Sequence, residues 1–166
     1  GGGTESSLDE EYITGIASGA QNWYWNIDDG WAYEMALELV NMPNPPNVVS
    51  VSYGWPEIFS CQSTVDNANC TDEDVQTYVQ RSNVELSKVA AMGISMLICD
   101  QDEGAPSEAN GLCSNSTHPV FSIFPGSSPW VTSVSASTVQ GTGRKDAPNQ
   151  PGMCKAFERH LFDRHA

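Results

Sequence analysis

Three carboxylates stand where acid–base chemistry would need them. Glu5 and Asp9 lie four residues apart in TESSLDEEYITGIA. Asp102 sits in Cys99-Asp100-Gln101-Asp102-Glu103-Gly104-Ala105-Pro106, directly after the apolar run Ile94-Ser95-Met96-Leu97-Ile98. At about 100° per residue, Asp9, Tyr12 and Ile16 all fall within ~40° of Glu5 on a helical wheel. Both carboxylates therefore share the stripe expected to be buried, while Glu10 and Glu11 turn to solvent. An unpaired buried carboxylate is costly. Two side by side can share one proton, one affinity rising and the other falling. Such a pair suits proton relay at low pH, where an imidazole is already protonated. Plainer readings stand beside this one. E-x-x-x-D arises by chance in an acidic chain, and an acid in a first helical turn complements the helix dipole. Asp100, Asp102 and Glu103 could equally form a solvated loop with Asx turns; the calcium-loop pattern of an EF-hand is not met.

The elements that must position these groups are legible from periodicity. Residues 5–20 read as a helix with Leu8, Tyr12, Ile13 and Ile16 on one side and Thr4 as N-cap. Residues 21–27 (QNWYWNI) are aromatic and strand-like, Asp28-Asp29-Gly30 is a turn, and 31–40 is a second amphipathic helix. The Pro-rich stretch 42–47 breaks the chain before a β-branched strand at 48–53. A polar loop spans 54–69. The longest helix follows at 71–92, with Val75, Tyr78, Val79, Leu86, Val89 and Ala90 facing inward and Gly93 ending it. The next strand is 94–98. Strand, helix, strand in that order implies a right-handed parallel crossover. Open α/β sheets place their sites just beyond the strand carboxyl ends. Asp102 follows one strand of the crossover and Tyr53-Gly54-Trp55-Pro56 the other, so both belong to the same edge. Further strands are expected at 120–124 and 131–139.

The bulk composition narrows the function classes. A chain of 166 residues suits one domain, and 39% apolar content is too high for disorder. Seven basic against twenty-one acidic residues give a net charge of −14. Nucleic acid and anionic membranes are excluded as partners, because both require a basic surface. No apolar run is long enough to span a bilayer. The opening GGGTESS carries no signal-peptide pattern and reads as a mature piece or a fragment. The cysteines are Cys61, Cys70, Cys99, Cys113 and Cys154, and sequons fall at Asn69 and Asn115. Together they favour an oxidising secretory route, with Cys61–Cys70 the easiest local disulfide. Sequons also occur by chance, and Cys99 can equally be a small hydrophobe at a strand end. No metal-ligand spacing occurs.

With those residues in place, the chain resembles the sedolisin family of serine-carboxyl peptidases, including its tripeptidyl-peptidase branch. The resemblance runs from about Gly3 to Val139. It rests on Glu5-Ser6-Ser7-Leu8-Asp9-Glu10-Glu11-Tyr12, on Val49-Ser50-Val51-Ser52-Tyr53-Gly54, and on Tyr78 to Leu86 with Gly93-Ile94-Ser95. It continues through Asp102-Glu103-Gly104-Ala105-Pro106 and Phe124-Pro125-Gly126-Ser127-Ser128-Pro129-Trp130-Val131. Five pieces in order are more specific than any one. The resemblance implies a subtilisin-like α/β fold, a parallel sheet flanked by helices and here incomplete. It implies that Glu5 is the general base, Asp9 the acid that tunes it, and Asp102 the oxyanion acid. It also implies peptide or protein substrates held near Tyr53 and Gly54, and a secreted, lysosomal or vacuolar setting.

The departures matter as much. The family's S-G-T-S-x-x-x-P nucleophile motif is absent, and so are the ligands of its calcium site. Asp100-Gln101 replaces Ser-Gly before the aspartate, and Glu103 replaces a small residue. Residues 1–139 are thus expected to be a partial peptidase domain and 140–166 a divergent tail. The chain is expected to be inactive alone and to need the C-terminal part of the domain as partner. Two rivals remain: a non-catalytic secreted glycoprotein binding module using Asn22-Trp23-Tyr24-Trp25-Asn26 and Trp31, and a glycosidase using two of the acids.

Overall fold

The computed structural model describes residues 3–27, 31–61, 71–100 and 122–135. Within them the chain is mixed α/β. Helix α1 runs Thr4–Ile16, α2 Ala32–Asn41 and α3 Asp72–Ala91. Strands are β1 Val48–Val51, β2 Trp55–Pro56, β3 Ser95–Cys99, β4 Ile123–Phe124 and β5 Thr132–Val134, with a short 3-10 turn at Glu57–Phe59.

The expected crossover is present: β1 and β3 pair in parallel, Val48 opposite Ser95 and Val51 opposite Ile98. β5 adds a third parallel strand on the other side of β3, giving the order β1-β3-β5. Alternation along β3 explains which face is buried, since Met96 and Ile98 point into the core while Ser95 and Leu97 are exposed. Beneath that face lie Ala32, Met35, Ala36 and Leu39 of α2 and Leu86 and Val89 of α3, closed by Phe124. Each large apolar side chain removed from water there contributes about 1.5–3 kcal/mol. The opposite face leaves Val48, Leu97 and Val134 exposed.

Helix α3 is fixed at both ends by local chemistry. Its N-cap Thr71 accepts from the Asp74 backbone N–H at 3.3 Å, and the Asp74 carboxylate accepts back from the Thr71 backbone N–H at 2.8 Å. At the other end Gly93 takes φ 81°, a left-handed conformation that costs glycine nothing. Polar contacts then lock α2 onto α3. The Tyr33 backbone N–H donates to the Tyr78 hydroxyl at 3.2 Å, and the Arg81 guanidinium sits 4.4 Å from the centre of the Tyr33 ring. Burial pushes the Tyr78 phenol well above its ordinary range.

Several expectations need correction. Residues 21–27 form no strand. Trp25 and Ile27 pack against the core while Trp23 and Tyr24 stay exposed, and aromatic propensity makes no strand without a neighbouring strand to pair with. Gly3, not Thr4, is the N-cap of α1, with no side-chain capping bond. The stretch expected to be a polar loop after Tyr53 holds β2, which pairs antiparallel with β4. The largest correction concerns α1. It forms nearly as expected but has no buried residue, and Ile16 is 84% exposed.

Candidate functional site

The carboxyl ends of β1, β3 and β5 converge on one edge of the parallel sheet. Tyr53 and Gly54 leave β1 there. Tyr53 stands at the centre of an aromatic row, its ring 5.2 Å from that of Trp31 and 5.8 Å from that of Trp55, both edge-on. Such edge-to-face pairs are favourable beyond their buried area. Half of Tyr53 remains exposed. Gly54 is required by packing, since a Cβ there would lie 2.7 Å from the buried Ile123 Cγ2 and 3.4 Å from the Phe124 carbonyl oxygen.

Strand β3 delivers Cys99 and Asp100 to the same edge. The Asp100 backbone N–H donates to the Val134 carbonyl at 3.1 Å. The Ser135 hydroxyl donates to Asp100 Oδ2 at 2.9 Å. This second link is a feature that sequence reasoning missed. Gly126 approaches from the turn after β4; a Cβ on it would lie 3.3 Å from the Cys99 carbonyl oxygen and 3.2 Å from Ser133 Oγ. Nearby, Ser127 donates to Glu57 and Ser128 to Asn83 of α3, fixing that turn to the body of the domain.

The sequence-expected residues fall as follows. Tyr53 and Gly54 lie at the sheet edge. Glu5 is exposed in the first turn of α1 and Asp9 is half-buried one turn on. The expected inward stripe is corrected here: α1 lies outside the core, tied to residues 21–27 by a Tyr24 hydroxyl that donates to Ser6 Oγ at 3.0 Å. No hydrogen bond joins Glu5 to Asp9. Asp102, Asn69 and Asn115 lie outside the described residues. Of the rival aromatic platform, Trp25 and Trp31 pack against the core. Among the described residues no three His, Cys, Asp or Glu side chains converge. Among the same residues no helix is long and apolar enough to cross a membrane.

Comparison with known proteins places this arrangement. No family model matches the chain. Physarolisin of Physarum polycephalum is 43% identical over 157 residues, covering 93% of this chain and 26% of that protein. Tripeptidyl-peptidase 1 of Bos taurus is 32% identical over 175 residues, covering 99% of this chain and 28% of that one. The Homo sapiens tripeptidyl-peptidase 1 is 31% identical over 144 residues, covering 83% of this chain and 22% of its own length. The chain thus spans about a quarter of the length of the curated relatives it matches. The parallel sheet flanked by helices agrees with a subtilisin-like partial domain, and over most of its length the chain belongs with the sedolisin family, to which Physarolisin and tripeptidyl-peptidase 1 relate it.

Proposed function

We propose that this chain supplies the acid-bearing part of a serine-carboxyl peptidase that cleaves peptide bonds at acid pH. The supporting observation is the 43% identity to Physarolisin over 93% of the chain, which takes in every segment of the sheet edge described above. On this reading Glu5 takes the proton from a serine carried by chain beyond the 166 residues, and Asp9 holds Glu5. Asp102, protonated at low pH, donates a hydrogen bond to the developing oxyanion. The exposed side chain of Tyr53 and the backbone of Gly54 border the peptide substrate. The same reading gives α1 its missing surroundings: its exposed apolar residues Leu8, Tyr12, Ile13 and Ile16 turn towards the remainder of the domain.

The setting that goes with this chemistry is secretory, lysosomal or vacuolar. Cys61 is buried, and a disulfide to Cys70, the easiest local pairing in the sequence, would go with an oxidising compartment. Glycans would be carried on Asn69 and Asn115. A non-catalytic glycoprotein binding module is the alternative, favoured only by the exposed Trp23 and Tyr24 rings.

Hydrolysis of a quenched peptide at about pH 4 tests the proposal. The 166 residues alone are expected to be silent. Fused to the S-G-T-S-bearing remainder of a relative, they are expected to turn over substrate. Glu5→Gln or Asp102→Asn should then each lower kcat by about 10²–10³-fold. Turnover that survives Glu5→Gln would remove the base from the mechanism.

A further inference from the structure

We propose that Asn83 and Ser128 are positioning residues for Tyr53-Gly54, the segment that borders the substrate. Their hydrogen bond fastens the turn after β4 to α3, and the residues that turn holds are the ones packed on Gly54.

Gly54 is wedged between two other parts of the chain. A Cβ there would lie 2.7 Å from Ile123 Cγ2, 3.4 Å from the Phe124 carbonyl oxygen and 3.6 Å from the Cys99 carbonyl oxygen. The next residues, Trp55 and Pro56, pair with Phe124 and Ile123, which are both buried. Whatever fixes Ile123 and Phe124 therefore fixes where Tyr53-Gly54 lies. The turn that follows them closes on itself. The Ser127 N–H donates to the Ile123 carbonyl at 2.7 Å, and the Ser128 N–H to the Pro125 carbonyl at 2.9 Å. Inside the turn, a Cβ on Gly126 would lie 3.3 Å from both the Cys99 and the Ile123 carbonyl oxygens. Two side chains tie the turn to the rest of the domain. The Ser127 hydroxyl donates to Glu57 at 3.2 Å, an exposed contact. The Ser128 hydroxyl donates to Asn83 Oδ1 at 2.6 Å and accepts from the Trp130 N–H at 3.4 Å, in a residue only 5% exposed. The buried bond is the firmer constraint, because water cannot replace a partner lost there. Asn83 belongs to a helix capped at both ends, three residues before the fully buried Leu86. The turn, and through it Tyr53-Gly54, is thus referenced to the core.

The substrate role of Tyr53-Gly54 rests on the function proposed above, whereas the packing around it does not. The first measurement therefore needs no turnover. In the 166-residue chain the Tyr53 ring lies 5.2 Å from that of Trp31 and 5.8 Å from that of Trp55. Their ring currents displace its proton NMR resonances, which report its place. Ser128→Ala should move those resonances towards the values of an unfolded chain. The Tyr33 ring, held between α2 and α3 by Arg81, should keep its own. Asn83→Leu should act as Ser128→Ala does, and it serves in its place if that variant fails to fold. Asn83→Asp keeps the acceptor oxygen and should leave Tyr53 as in the wild type. In the fusion that carries the S-G-T-S remainder of a relative, Ser128→Ala and Asn83→Leu should each raise KM by roughly tenfold at nearly constant kcat. A bond that only stabilised the fold would instead lower the active fraction, and with it the apparent kcat, at unchanged KM. Tyr53 resonances that stay in place in these variants, or that move together with those of Tyr33, overturn the proposal. A fusion silent towards peptide counts against the proposed function, and the Tyr53 spectrum still decides this inference.

Discussion

Two helices in this chain carry apolar residues at helical spacing and meet different fates. In α3, Leu86 and Val89 are fully buried beneath the sheet, and α2 lies alongside with Ala36 and Leu39 equally buried. In α1, Leu8, Tyr12, Ile13 and Ile16 are all exposed and no residue is buried. The pattern makes each helix amphipathic. Whether the apolar side is covered depends on which other segments are available to cover it. α3 connects two paired strands, so chain connectivity alone brings its stripe onto the sheet. α1 precedes the first strand by some thirty residues and has no such obligation. For the candidate site the lesson is direct. The edge built by β1, β3 and β5 is positioned by the core, while Glu5 and Asp9 ride on an element the described core does not hold.

The sharpest way to break that contrast is to cut the same kind of side chain from each helix. Leu86→Ala should destabilise the fold by about 2–5 kcal/mol, because a fully buried leucine leaves both its transfer energy and a cavity behind. Ile16→Ala should stay within about 0.5 kcal/mol, as expected of a surface position. Urea unfolding of the two variants measures both. An equal loss in the two would mean that α1 is packed in solution after all.

A smaller effect sharpens the view of the sheet edge. Gly54→Ala should cost about 1–3 kcal/mol, because the new methyl group meets Ile123 Cγ2 at 2.7 Å and both neighbours are buried. Gly15→Ala, in the uncovered α1 where nothing lies within 4 Å of the new methyl, should be neutral or slightly stabilising. The pair separates glycine required by close approach from glycine merely tolerated. Thermal melts of the two variants decide it.

What was legible in the sequence follows the same division. β1, α3 and β3 could be read because a β-branched run, a long helical period and a glycine stop each carry a strong local signal. From them the crossover, and with it the placing of Tyr53 and Gly54 at the sheet edge, follows by chain connectivity. The segment 21–27 misled because Trp25 and Ile27 serve the core without pairing as a strand, while Trp23 and Tyr24 stay exposed. β4 falls within the strand expected at 120–124, but its partner β2 was illegible, since a two-residue strand carries no period and Pro56 cannot donate to a ladder. The Asp100–Ser135 bond links positions 35 apart and leaves no local trace. As for the acids, spacing put Glu5 and Asp9 on one face of a helix, but spacing cannot say what that face meets.

The smallest expected effect probes the capping box that starts α3, and its sign follows from linkage. Hydrogen bonds from the backbone N–H and the side chain of Thr71 hold the Asp74 carboxyl below its ordinary value of 3.8. A group whose affinity for protons is lowered by folding stabilises the fold while it is ionised. That contribution is fully present above the ordinary carboxylate range and fades as pH falls through the lower, folded value. Thr71→Ala leaves the backbone N–H donor but removes the hydroxyl, which both donates to the Asp74 carboxylate and accepts from the Asp74 N–H, and loss of this N-cap should cost about 1 kcal/mol at neutral pH. The gap between wild type and variant should then narrow, without closing, as the pH is taken well below 3.8, because protonated Asp74 no longer gains from the Thr71 hydroxyl donor while the hydroxyl still accepts the Asp74 N–H. Denaturant titrations across that range measure the gap at each pH. A gap that widens on acidification would mean that Asp74 is held by its protonated form, against the geometry of two donors facing one carboxylate oxygen.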